Sequence, residues 1–139
     1  RAIKAGPRPP GLGRLDTAAR PGYTRAMAKV VVAIPDLFFR AKVLETARTL
    51  SVELDVARDA DEVLQRVRAE KPRLVLMDLQ AAALQPLETI PTLQGIPVIG
   101  YLAHEEVELR EKALAAGCAE VLTKGQFSAS LPAILRRAT

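Results

Sequence analysis

The sequence predicts an α/β domain built on a five-stranded parallel sheet with helices on both faces, a doubly wound arrangement. Three observations carry that prediction. Val30-Val31-Val32-Ala33-Ile34 and Leu74-Val75-Leu76-Met77 are continuous apolar runs, the pattern of strands buried on both faces. From Lys29 to the C-terminus, strand and helix patterns alternate in the order βαβαβαβαβα, which calls for right-handed crossovers between parallel strands. Asp36, Asp78, Leu102 and Lys124 all fall at the C-terminal ends of predicted strands, the edge where open α/β sheets carry their sites.

A chain of 139 residues has room for one well-filled core and no comfortable room for two. Residues 1–26 read as a flexible basic extension, rich in Pro and Gly and too poor in apolar groups to offset the entropy of ordering. Residues 27–139 read as the folded domain, and Met27 suits a natural start. The formal charge of +4 is unevenly placed: the extension has six basic residues against Asp16, and the remainder has 14 against 15 acidic ones. A nucleic-acid partner is therefore expected, if anywhere, only through residues 1–26. One cysteine, Cys118, excludes an internal disulfide and a cysteine-based metal cluster, so a reducing cytoplasm is the expected compartment. No run has the ~18 to 20 apolar residues a membrane helix needs.

Each element has its own signal. The first strand closes at Pro35-Asp36, and Asp36 can cap a helix whose apolar positions are Phe39, Val43, Ala47 and Leu50, ending at Ser51. Val52 to Ala57 alternates polar and apolar residues, as an edge strand does. Asp59 and Glu62 have capping-box spacing for a second helix carrying Ala60, Val63, Leu64 and Val67, and Pro72 stops it. Arg73 to Leu79 is the third strand. Pro86 and Pro91 interrupt residues 80–93, which predict a loop with a short or broken helix. Pro97 to Leu102 is the fourth strand, followed by a helix from Glu105 to Ala116 with Val107, Leu109, Leu114 and Ala115 as its apolar positions. Gly117 fits its C-terminal cap. Ala119 to Thr123 is the fifth strand, ending at Lys124-Gly125. A last helix carries Phe127, Leu131, Ile134 and Leu135, and Pro132 favours Ser130 over Ser128 as its N-cap.

The stretches PRLVLMDL around Asp78, PVIGYLA at 97–103 and ALAAGCAEVLTK at 113–124 resemble the receiver domains of bacterial response regulators. The resemblance covers about residues 28–137 and implies a flavodoxin-like, receiver-type sheet in strand order 2-1-3-4-5. In that family an acidic pair after the first strand holds Mg²⁺ beside an acceptor Asp. A Ser or Thr after the fourth strand and a Lys after the fifth bind the phosphoryl oxygens, and this set neutralises charge during transfer.

The resemblance puts Asp78 at the phosphoacceptor position and Lys124 at the phosphate-binding position. Ile34 and Pro35 stand where the acidic pair belongs, with Asp36 one place later. Leu102 replaces the Ser or Thr, and Val121 the aromatic residue that accompanies it. Ala82 and Pro86 replace the usual Pro and Gly of the loop after the acceptor. Mg²⁺ prefers octahedral oxygen ligation, which Ile and Pro cannot supply.

The resemblance with these departures implies a pseudo-receiver: a non-enzymatic module with no cofactor, meeting a protein partner or a second copy of itself as a homodimer. The family surface for that purpose is the fourth helix, fifth strand and fifth helix. The alternative is a phosphorylatable receiver in which a histidine kinase serves Asp78, with Asp36 as a single Mg²⁺ ligand. On the first reading Asp78 and Lys124 form a retained ion pair. His104 is expected to be a solvated loop residue, Cys118 a small packed group, and Tyr101 a strand packing residue.

Overall fold

The computed structural model describes residues 29–103 and 106–139. Along this chain run β1 (Val30–Ala33), α1 (Leu37–Thr49), β2 (Leu54–Val56), α2 (Ala60–Glu70), β3 (Leu74–Asp78), α3 (Pro86–Thr89), β4 (Val98–Leu102), α4 (Val107–Ala116), β5 (Glu120–Thr123) and α5 (Lys124–Arg136). Short 3-10 turns at Ala82–Leu84 and Ile90–Thr92 flank the single turn of α3. The extension at 1–26, Met27 and His104 lie outside the described residues.

All strand pairs are parallel, and the order is β2-β1-β3-β4-β5, as the resemblance implies. Every residue of β1 is buried, and four of the five in β3 are, because helices cover both faces of these central strands. Alternation along the strands divides the core. Val30, Val32, Leu74, Leu76, Ile99 and Tyr101 pack with residues of α1 and α5. Val31, Val75, Met77, Val98 and Leu102 join a second cluster that includes Val63 of α2 and Ala113 of α4. β2 is the edge strand expected and is shorter than its pattern, since the Val52 amide turns back to the Ala47 carbonyl at the end of α1.

The helix termini follow local chemistry. Asp36 Oδ1 accepts from the Phe39 amide at 3.0 Å, and Asp59 Oδ1 from Glu62 at 2.9 Å. Gly117 ends α4 at φ 114°, a left-handed conformation that glycine adopts without steric cost. Residues 80–93 form the broken segment expected, with Pro86 in the first turn of α3 where its missing amide costs nothing.

Two expectations are corrected. α5 starts at Lys124 rather than after Ser130, because Thr123 and Gln126 form a reciprocal capping box: Thr123 Oγ1 accepts from the Gln126 amide at 3.1 Å and Gln126 Oε1 from the Thr123 amide at 2.9 Å. Pro132 consequently lies inside the helix. In α4, Val107, Leu114 and Ala115 are not core residues; the first two are 60% and 45% exposed, Ala115 is exposed as well, and the fully buried position is Ala113.

Candidate functional site

The C-terminal edge of the sheet brings Asp36, Asp78, Tyr101 and Lys124 into one electrostatic neighbourhood. β1 and β3 are adjacent, so the turn carrying Asp36 stands beside the end of β3 that carries Asp78. Lys124, at the start of α5, reaches toward them: its Nζ is 3.9 Å from Asp36 Oδ2 and 4.8 Å from the centroid of the Phe39 ring. The ion pair expected between Asp78 and Lys124 is therefore not the one formed. The ammonium pairs loosely with Asp36 and acts on Asp78 only through space. Both partners are more than two-fifths exposed, so solvent screens the contact and it contributes little to stability.

The two carboxylates are shifted in opposite directions. Accepting the Phe39 amide holds Asp36 below the usual carboxylate range, and Lys124 adds to this. Burial pushes Asp78 up, while the Gln80 amide and Lys124 oppose the rise. Asp78 Oδ1 accepts from the Gln80 amide at 2.9 Å.

Gln80 is a residue that sequence reasoning passed over. Its side chain accepts from the Ala103 amide at 2.7 Å through Oε1 and donates to Glu106 Oε2 at 2.7 Å through Nε2. It thus ties the end of β3 to the end of β4 and the approach to α4. A polar residue two places after a strand-end carboxylate, within reach of its backbone amide, was the available signal.

Tyr101 is a packing residue, as expected, and also a site neighbour. Its ring lies in a cluster with Phe39 and Phe127, at centroid separations of 5.1 and 4.9 Å. Burial and the nearby carboxylates push its phenol well above the usual range. Asp78 is near enough that a hydrogen-bonding interaction with it adds to the rise of the phenol, although the hydroxyl reaches full hydrogen-bond geometry with no group. Cys118 is buried, its Sγ donating to the carbonyls of Val98 and Glu120 at 3.3 and 3.1 Å, with its thiol pKa raised by burial.

Ile34, Leu102 and Val121 lie in the core, Ile34 on the α1 and α5 side and the other two on the α4 side. Pro35 offers no side-chain donor. Among the described residues no three His, Cys, Asp or Glu side chains converge so as to hold a metal ion. Asp36, the carboxylate that follows β1, already accepts from a helix amide and faces an ammonium. The donor set does not fit Mg²⁺ with its demand for near-octahedral oxygen ligation.

No protein-family model and no curated protein matches the sequence. Among solved structures, the signal receiver domain of the putative response regulator NarL from Mycobacterium tuberculosis is 23% identical at a TM-score of 0.67, with 82% of this chain and 98% of that one covered. The chemotaxis response regulator CheY4 of Vibrio cholerae is 20% identical at 0.69, with 82% and 100% covered. The receiver domain of NtrX from Brucella abortus is 22% identical at 0.68, with 78% and 96% covered. Of a longer NtrX chain, this sequence spans 25%. Strand order, register and these superpositions agree that the chain has the fold of a response-regulator receiver domain.

Proposed function

We propose that the chain is a pseudo-receiver, a non-enzymatic module of bacterial two-component signalling that acts in the cytoplasm by binding a protein. The observation that carries this reading is the occupation of Asp36. The carboxylate that follows β1, the strand beside Asp78, caps α1 through the Phe39 amide and faces Lys124 instead of joining Asp78 around a cation. Phosphoryl transfer to Asp78 would need its developing charge neutralised. Lys124 is the remaining cation of the family's set, and it leans on Asp36 and the Phe39 ring. Leu102, buried and without a hydroxyl, cannot report a phosphoryl group to the rest of the fold.

The partner surface is the face formed by α4, β5 and α5. Val107 and Leu114, seven residues apart on α4, both project into solvent. Apolar side chains aligned on one exposed helix face are the kind of feature that a protein partner, or a second copy, covers.

Incubation of the full chain with a small-molecule phosphodonor and Mg²⁺, followed by intact-mass measurement, tests the reading. No phosphoryl increment is expected. A stable increment on the unsubstituted chain that is missing from Asp78→Asn would replace this reading with a working receiver whose phosphoacceptor is Asp78.

A further inference from the structure

Among the described residues, the Tyr101 hydroxyl is the buried side-chain polar atom without a hydrogen-bond partner. The residue is 3% exposed and its ring is held by Phe39 and Phe127. A buried donor left unpaired is costly, so a polar group within a small side-chain movement should satisfy it. Register identifies that group. Tyr101 of β4 is directly paired with Asp78 of β3, and residues paired across neighbouring strands project from the same face of the sheet. One oxygen of Asp78 accepts from Gln80.

We propose that the Tyr101 hydroxyl donates a hydrogen bond to the Asp78 carboxylate and is the internal partner that holds it against the ring cluster. Asp78 then has two donors from its own chain, the Gln80 amide and the Tyr101 hydroxyl. Tyr101 is a positioning residue: it fixes the direction of the carboxylate. This inference rests on the pseudo-receiver reading, because it treats Asp78 as a held group rather than a reacting one.

The sign of a stability change tests it. With Asp78 present, Tyr101→Phe removes a bond to a charged acceptor, and Tm falls by about 4 to 8 °C for a domain of this size. In an Asp78→Ala background the hydroxyl has no acceptor, so the same substitution raises Tm. A rise, or no change, on Tyr101→Phe in the chain that retains Asp78 would overturn the proposal.

An optical readout is independent of stability. The sequence has two tyrosines and no tryptophan, so in a Tyr23→Phe chain the emission belongs to Tyr101 alone. A phenol bonded to a carboxylate is quenched, and Asp78→Ala increases its emission in the folded protein. Unchanged emission would also overturn the bond. Neither measurement uses a phosphodonor, so their failure leaves the mass experiment standing. Phosphorylation of Asp78 would sink the pseudo-receiver reading without deciding whether the resting carboxylate is held by Tyr101.

Discussion

Asp78 is pushed up by burial, whereas Asp36 is held down by the amide it caps. For a carboxylate with a raised folded pKa, the associated stability is present below its unfolded pKa and is lost as pH rises through the folded one. Asp78→Asn should therefore melt higher than the unsubstituted chain at neutral pH. The gap should close as pH falls below the ordinary carboxylate range, near pH ~4. Thermal melts followed by circular dichroism across that range check this, and a gap independent of pH would contradict it. The cap by Asp36 was legible because a carboxylate following Pro35 and preceding a helical pattern has few other uses. The partner of Lys124 was not. Whether it leans on Asp36 or Asp78 depends on how the start of α5 lies across the end of β1, and no local spacing encodes that. The neighbourhood of Tyr101 and Asp78 was hidden for a similar reason, since it follows from the register of β4 on β3.

At the scale of elements, the alternation of strands and helices was readable wherever apolar periodicity changed sharply at a boundary, and least so over residues 80–93, where Pro86 and Pro91 break the pattern. The start of α5 was misplaced. Pro132 argued for a late start, but the pair Thr123 and Gln126, three apart, was the stronger signal and supplies two reciprocal bonds at the helix start. A proline inside a helix can cost about 3 kcal/mol, yet α5 also buries Phe127, Leu131, Ile134 and Leu135 against the sheet. Packing of that face outweighs the local preference. β4 depends on a glycine for another reason: a Cβ at Gly100 would stand 2.6 to 2.7 Å from three side-chain carbons of Leu79. Leu79 is itself buried, so it cannot simply swing away. Gly100→Ala should destabilise the domain by about 1 to 3 kcal/mol, read from denaturant unfolding, and Leu79→Ala should offset part of that loss.

Viewed whole, the described chain is one sheet with two hydrophobic layers, and its exposed apolar groups are few. Leu37, Phe38 and Leu44 project from α1, and Val107 and Leu114 project from α4. Replacing both Val107 and Leu114 by Glu should leave Tm unchanged, because neither side chain packs in the core. It should abolish any concentration-dependent association that sedimentation velocity detects in the unsubstituted chain. A clear fall in Tm would assign these residues to the fold rather than to a partner. No helix among the described residues is long and apolar enough to cross a membrane.

The burial of Ile34 and Leu102 has a consequence for how this protein can change. Each belongs to a hydrophobic cluster, one on either side of the sheet, and neither touches solvent. Installing a carboxylate at the first or a hydroxyl at the second would put a polar group among apolar neighbours before any metal or phosphoryl group could compensate. A single substitution toward phosphoryl chemistry thus passes through a less stable protein, and the benefit arrives only when several are combined. Packing in the two layers of the sheet therefore works like a ratchet against single changes of this kind, because each must first displace apolar neighbours that nothing else would replace.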